Sequence, residues 1–141
     1  MDVPGARRMF GSMPVVAVAT IDPDGSPHVV PLWFVWVEDA IYVSTRTDAR
    51  TWRNAERDPR VSISIDLGRS WNELAGVEVL GSAEILPAEH PSMRQPISAW
   101  HEKYRSLLAG EGFGAFTEAV HHLGFLRVVP ERLRSLDHAR D

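Results

Sequence analysis

The sequence contains no cysteine and only one lysine among its 141 residues. The absence of cysteine excludes disulfides, thiolate-ligated metals and a cysteine nucleophile. It also contains no apolar run of the roughly 20 residues that a membrane-spanning helix needs. The apolar stretch at 15–21 stops at an Asp-Pro-Asp-Gly turn. We therefore expect a cytoplasmic protein that does not engage a membrane.

Several ligand-binding motifs are also missing. There is no GxGxxG or GxxxxGK loop, so nothing indicates a Rossmann or P-loop nucleotide site. The histidines show no metal-ligand spacing, and the adjacent His121 and His122 would diverge on a helix, so no metal site is predicted. The net charge of −4 argues against general nucleic-acid binding. With Lys103 the only lysine, an arginine must supply any cation that binds a phosphate.

Most of the chain shows the patterns of β structure. Runs rich in β-branched residues alternate with polar residues and are separated by turn residues. The predicted strands cover residues 14–21, 28–37, 41–46, 60–66, 75–85 and 125–129. The first two form a hairpin around the turn at 22–26, and Gly81 marks a bulge or bend. Six strands indicate a mostly β fold, a small antiparallel barrel with a few short helices, in a single domain 1–141.

Helical patterns occur in three places. Thr47 or Asp48 can cap a short helix that runs to about Arg57, because the residue before Pro59 avoids helical geometry. Residues 93–108 carry one apolar stripe, made of Met93, Ile97, Trp100, Tyr104 and Leu107 or Leu108. A third helix is predicted for residues 115–123.

The second predicted strand is apolar on both faces. Val29, Pro31, Trp33, Val35 and Val37 alternate with Val30, Leu32, Phe34 and Trp36. An antiparallel barrel strand with two apolar faces needs a cover outside the barrel. The helix over 93–108 or a second subunit can provide that cover, and the sequence leaves both open.

The segment from Ser44 to Thr51 carries the strongest chemical signal. A strand delivers the hydroxyls of Ser44 and Thr45 and then Arg46 to the start of a helix, and Arg50 and Thr51 follow in its first turn. A helix N-terminus favours anions and disfavours cations. Arginines there indicate that an anion such as a phosphate lies between them. The alternative is that Asp48 neutralises both arginines at an exposed helix start.

Other residues near this segment admit plainer interpretations. Arg53 and Arg57 are predicted to be structural or to bridge subunits, and Asn54 to bond a loop or a ligand. Pro31 and Trp33 can line a flat aromatic ligand, although a tryptophan in a barrel strand is more often core. Trp71 lies in a loop, where it can close over a ligand or cap the end of the barrel.

The order ATIDPDGSPHVVPLWFVW, IYVSTRTDARTWRNAERDPRVSISID and VEVLGSAEI closely resembles the pyridoxamine 5′-phosphate oxidase-like superfamily of FMN-binding split barrels. The likeness is nearest to the deazaflavin (coenzyme F-420)-dependent reductase branch. It covers about residues 14–85 and 125–131, and its most specific part is the RN-x-x-RDPRV signature at residues 53–61.

The resemblance implies a six-stranded barrel, a homodimer and one cofactor per subunit in the interface groove. The cofactor phosphate would contact the third strand and the following helix. The ring would lie against the second strand. The implied cofactor-binding residues are Pro31, Leu32, Trp33, Ser44, Thr45, Arg46, Arg50 and Thr51.

The same resemblance implies an oxidoreductase that moves hydride between FMN or coenzyme F-420 and a small organic substrate. Many relatives carry a lysine where this chain has Thr51, so one phosphate-binding cation is lost. That departure leaves FAD and haem open as ligands. The alternative function is a flavin- or haem-binding carrier or sensor without turnover.

Overall fold

The computed structural model describes residues 1–68, 70–108 and 123–137, and these residues form a mostly β fold. The helices are α1 Val3–Phe10, α2 Arg50–Arg57 and α3 Arg94–Leu108. The strands are β1 Val16–Ile21, β2 Pro27–Leu32, β3 Phe34–Val37, β4 Ala40–Arg46, β5 Arg60–Leu67, β6 Ala75–Pro87, β7 Leu123–Val128 and β8 Arg132–Asp137. Within the described part of the chain, no helix combines the length and the apolar character needed to cross a bilayer.

The strands form one curled antiparallel sheet. The order is β2-β1-β5-β6-β7-β4-β3, and β8 pairs with β6 beside this path. The two strands at the ends of the order, β2 and β3, are consecutive in sequence and are separated only by Trp33. The chain therefore joins the two edges of its own sheet, and the sheet closes into a split barrel. The predicted mostly β barrel is confirmed.

The predicted number of six strands is too low, because the described residues contain eight. The predicted strand at 28–37 is two strands, since the chain leaves β1 and joins β4 at Trp33. The eighth strand, β8, is rich in charged residues and shows no apolar alternation. It forms because β6 is long enough to pair with β8 along 75–80 and with β7 along 83–87.

Gly81 lies where β6 changes partners. A Cβ at this position would come within 2.7 Å of the Val129 carbonyl oxygen, which ordinary side chains never do. The chain therefore needs glycine at 81 for close backbone approach. This agrees with the local irregularity that the sequence predicted here.

The hairpin between β1 and β2 is confirmed. Its turn is closed by two backbone hydrogen bonds, from Asp22 N to Ser26 O at 2.8 Å and from Gly25 N to Asp22 O at 2.9 Å. Gly25 has a φ of 88°, which glycine adopts without strain. The Asp24 carboxylate also accepts a hydrogen bond from Ser26 N at 2.9 Å. The turn is thus fixed by its own sequence.

The helix boundaries differ from prediction in two places. The cap of α2 is Ala49, not Thr47 or Asp48, because the Asp48 carboxylate binds Arg46 instead. Helix α1 was not predicted; Asp2 caps it by accepting from Gly5 N, and it buries Ala6 and Phe10. The predicted helix at 115–123 lies outside the described residues except at Leu123, which begins β7.

Helix α3 covers the outer face of β3. Its predicted stripe buries Met93, Trp100, Tyr104 and Leu108, whereas Leu107 is exposed. Val35 of β3 packs into this outer cluster, while Phe34 and Trp36 face the barrel core. The helix is therefore the cover for the β3 part of the doubly apolar strand. The outer face of β2 stays open, with Val29 at 61% exposure.

Tyr104 and Lys103 of α3 fasten the start of β3. The Tyr104 hydroxyl accepts from Phe34 N at 2.9 Å and lies 2.8 Å from the Pro14 carbonyl oxygen, to which it can donate. The Lys103 ammonium donates to the Gly11 carbonyl at 3.1 Å and to the Phe34 carbonyl at 2.9 Å. Burial raises the pKa of Tyr104 to about 12 and lowers the pKa of Lys103 to about 8. One helix thus holds both the N-terminal segment and the barrel edge.

Replacing Tyr104 by phenylalanine should destabilise the protein by about 1–3 kcal/mol, because the buried Phe34 N–H loses its acceptor. Urea unfolding followed by circular dichroism measures the change. Tyr42→Phe is the matched control: among the described residues its half-buried hydroxyl accepts one hydrogen bond, from Arg127 Nε at 3.2 Å, so its loss should cost less than half as much. Equal losses in the two variants would contradict this role for Tyr104.

Lys103 should make stability depend on pH above neutrality. Burial lowers its folded pKa to about 8, below the value of 10.5 that an exposed lysine has in the unfolded chain. The unfolded chain therefore binds more protons between these values, and stability gains from this residue as pH rises from about 8 towards 10. The difference in unfolding free energy between wild type and Lys103→Met should grow in favour of wild type over this range. A difference that stays constant with pH would show that Lys103 titrates normally.

Candidate functional site

The corner where β2 gives way to β3 brings the two halves of the predicted site together. Phe34 pairs with Val43, and the next step outward joins Trp33 to Ser44 through a backbone hydrogen bond of 2.9 Å. The antiparallel register carries Pro31 and Leu32 towards the end of β4, and β2 lies in contact with β4 there. Residues 31–33 and 44–46 therefore share one corner of the barrel.

Ser44 holds this corner through its side chain. Its hydroxyl donates to the Trp33 carbonyl oxygen at 3.1 Å and accepts from Trp100 Nε1 at 3.1 Å. Both hydrogen-bonding roles of the hydroxyl are thus engaged inside the protein. Ser44 positions Trp33 against α3, and a ligand would have to displace one of these bonds to use the hydroxyl.

The two threonines of the segment are almost fully buried. Thr45 is 5% exposed and Thr51 is 3% exposed. Along β4, Thr45 points to the opposite side of the strand from Ser44 and Arg46, because strand side chains alternate. The side-chain hydroxyls of Ser44 and Thr45 therefore do not point towards one common ligand position.

Arg46 and Asp48 form a bidentate ion pair at the end of β4. Arg46 Nε and Nη2 each donate to a different oxygen of the Asp48 carboxylate at 2.9 Å. Their side chains are 55% and 61% exposed. The hydrogen bonds to Asp48 raise the pKa of Arg46. An exposed pair of this kind contributes little to stability, so it can open for a competing anion.

Arg50 begins α2, two residues after Asp48 of this ion pair. Its side chain is exposed and makes no hydrogen bond or ion pair with any other described residue. The N-cap, Ala49, has no side-chain acceptor for the amides of the first turn. The helix start therefore presents a guanidinium and a partial positive charge next to Arg46. This is the arrangement that suits an anionic group.

The signature residues of α2 mainly anchor the helix. Asn54 is 1% exposed, and its amide donates to Thr20 Oγ1 at 3.1 Å and to Asp22 Oδ1 at 2.9 Å. Arg57 donates to the Ile21 carbonyl and to Asn54 Oδ1. These bonds tie α2 to the end of β1, so Asn54 bonds the loop and Arg57 makes structural contacts within the chain.

The tryptophans take different roles. Trp33 stacks on Tyr104 with ring centroids 4.1 Å apart and an interplanar angle of 8°. One face of its ring is thus covered by α3. Trp71 is 71% exposed on a single 3-10 turn whose capping box joins Ser70 and Glu73, so it does not cap the barrel end. Pro31 is exposed on the outer face of β2.

Sequence reasoning missed that α3 is part of the corner. Trp100 orients Ser44, and Tyr104 both stacks on Trp33 and bonds Phe34. The signal was present in the apolar stripe, whose two largest members carry polar tips that need partners when buried. Among residues 1–68, 70–108 and 123–137, no three histidine or acidic side chains group as metal ligands.

The closed antiparallel sheet, split at one corner and covered there by a helix, defines a split β-barrel. The chain belongs to the pyridoxamine 5′-phosphate oxidase family, whose model matches residues 4–137. No curated protein matches the chain.

Solved structures share the fold. The conserved hypothetical protein Rv2991 from Mycobacterium tuberculosis is 29% identical, with a TM-score of 0.79 over 98% of this chain and 86% of that one. An F420 reductase is 20% identical, with a TM-score of 0.70 over 91% and 94% of the two chains. HutZ, the heme storage protein from Vibrio cholerae, is 21% identical, with a TM-score of 0.72 over 95% and 94%. The fold thus occurs in a reductase and in a haem-storage protein.

Proposed function

We propose that this protein binds a flavin-type cofactor, FMN or coenzyme F-420, and transfers hydride between it and a small organic substrate. The observation that carries the proposal is that two exposed arginines, Arg46 at the end of β4 and Arg50 at an α2 start without a side-chain cap, lie close in sequence at the corner that β2 also reaches. A phosphate suits the two arginines and a flat ring suits the strand. Membership of the family supports the same assignment.

The residues present fit such a group. Arg46 and Arg50 would hold the phosphate, with Arg46 turning from Asp48 to the ligand or using its remaining Nη1. Pro31 would lie against the ring, since it is exposed on the outer face of β2, and Leu32, which packs against the barrel core on the other face, would support the strand beneath it. Ser44 and Thr51 are buried and would not contact the cofactor directly. Ser44 would hold the corner in place and Thr51 the start of α2. The cofactor supplies the hydride chemistry when bound, and the chain binds and orients it.

We further propose a homodimer with the cofactor at the interface. One protomer offers a single wall of the site, because Pro31, Arg46 and Arg50 are all exposed. A second subunit over β2 would bury Val29, which is 61% exposed, and would exclude water from the ring. This placement is consistent with a site that is incomplete in one chain.

A carrier or sensor that binds flavin or haem without turnover is the second candidate. The fold likeness to a heme storage protein favours it, as does Thr51 in the place of a cationic side chain. Both candidates share the corner and differ in whether the bound group reacts. The cytoplasm is the proposed location in either case.

Cofactor binding should change in opposite directions when Arg50 and Asp48 are substituted. Arg50→Ala should weaken the binding of FMN or coenzyme F-420 by about 1.5–3 kcal/mol, because it removes a charged hydrogen-bond donor to the phosphate. Asp48→Asn should strengthen binding, because it frees Arg46 from its competing carboxylate. Fluorescence-quenching titration measures both, and Arg8→Ala, an exposed arginine of α1, is the control. If Arg46→Ala and Arg50→Ala both bind like wild type, the phosphate site lies elsewhere.

Turnover separates the two candidate functions. Stopped-flow absorbance should follow reoxidation of the reduced, protein-bound cofactor by quinones, enones and tetrapyrroles. An oxidoreductase should reoxidise it with at least one acceptor faster than the free cofactor reacts. If every acceptor reacts no faster with bound than with free cofactor, the carrier function is favoured. Failure of FMN, coenzyme F-420 and haem to bind at all would contradict both.

A further inference from the structure

A second polar groove lies between α2 and the β1–β2 turn. Its volume is about 430 Å³, and its charged and amide lining consists of Asp22, Asp24, Arg50, Arg53, Asn54 and Arg57. Three guanidiniums come from the helix and two carboxylates from the turn. The groove therefore has a cationic wall and an anionic wall.

The arginine wall has donors to spare. Arg53 uses Nη1 to donate to the Asp48 carbonyl at 2.6 Å, and Arg57 uses Nη2 on the Ile21 carbonyl and Asn54. These bonds fix the stems of the side chains. Arg50 makes no side-chain hydrogen bond within the described residues. Each guanidinium carries five N–H donors, so most of them remain available to a ligand.

The carboxylate wall is fixed by different bonds. Asp22 Oδ1 accepts from the buried Asn54 amide at 2.9 Å, and Asp24 Oδ1 accepts from Ser26 N at 2.9 Å. The second oxygen of Asp22 makes no hydrogen bond with the described residues, whereas the Asp24 carboxylate also receives a hydrogen bond from the Ser26 side chain. The bonds from Ser26 lower the pKa of Asp24, which stays ionised at neutral pH. Both walls are thus held in place before any ligand arrives.

No ion pair crosses the groove in the described structure, although opposite charges face each other. The walls are held apart by their own bonds, since Asn54 sets the distance between α2 and the turn. A molecule that spans the gap can satisfy both walls at once. It needs an anionic group for the arginines and hydrogen-bond donors for the carboxylates.

We propose that this groove binds a small phosphate ester that carries hydroxyl groups, of the sugar-phosphate class. The phosphate lies on Arg53 and Arg57, and the hydroxyls donate to Asp22 and Asp24. This site is separate from the proposed cofactor site, with which it shares only Arg50 at its near end. The inference does not require that a flavin binds at the barrel corner.

The experiment compares ribose 5-phosphate with inorganic phosphate on the full chain, with affinities from amide chemical shifts in NMR titrations. Ribose 5-phosphate should bind more tightly and should shift the amides of residues 22–26 and 50–57. Arg53→Ala should weaken both ligands by about three- to fivefold, within the range of exposed ion pairs. Arg53→Lys keeps a donor for the Asp48 carbonyl and should weaken ribose 5-phosphate less. Arg8→Ala should change neither.

Asp24→Asn provides the discriminating result. This substitution keeps an acceptor for Ser26 N and removes one negative charge from the groove. It should therefore strengthen the binding of inorganic phosphate and weaken the binding of ribose 5-phosphate. Strengthening of both ligands would show that the carboxylates do not receive hydroxyls, and the proposal would fall. Ribose 5-phosphate binding no tighter than phosphate, or shifting only residues 46–50, would overturn it too. Repeating the titration with FMN added separates this outcome from any failure of the cofactor site.

Discussion

The closure of the sheet at Trp33 is the constraint on which the rest of the structure depends. The two edge strands, β2 and β3, are joined through Trp33 alone, so the sheet cannot lie flat and must curl until its edges meet. The closure places the end of β4 beside the end of β2. A polar turn and an apolar strand face, distant in sequence, meet there as a direct result.

Helix α3 makes this corner rigid from outside. Trp100 bonds Ser44, Tyr104 bonds Phe34 and stacks on Trp33, and Lys103 bonds two carbonyls of the same region. Buried polar groups with all partners in place specify one arrangement strongly, because each broken bond would leave an unsatisfied group. Arg46 and Arg50, the proposed ligand-binding residues, can then remain exposed on a rigid base.

The patterns that predicted correctly were local ones. The turn at Gly25, the alternation of β5 and the apolar stripe of α3 each depend on residues close in sequence, and each is found. The break at Trp33 is not visible locally, because the inside-outside alternation continues through it from Val29 to Val37. Strand β8 forms because it pairs with part of the long strand β6. The cap of α2 is Ala49 because Arg46 binds the Asp48 carboxylate that would otherwise cap the helix. Of the candidate site, the sequence indicated the segment but not that the Ser44 hydroxyl is already engaged.

The single lysine has a consequence for covalent labelling. Its amine is half-buried, bonded to two carbonyls and placed 3.5 Å from the centre of the Phe34 ring. Because the fold encloses this amine, reagents that acylate amines should modify it more slowly than an exposed lysine. The rate of labelling at Lys103 would therefore report how often α3 separates from the start of β3.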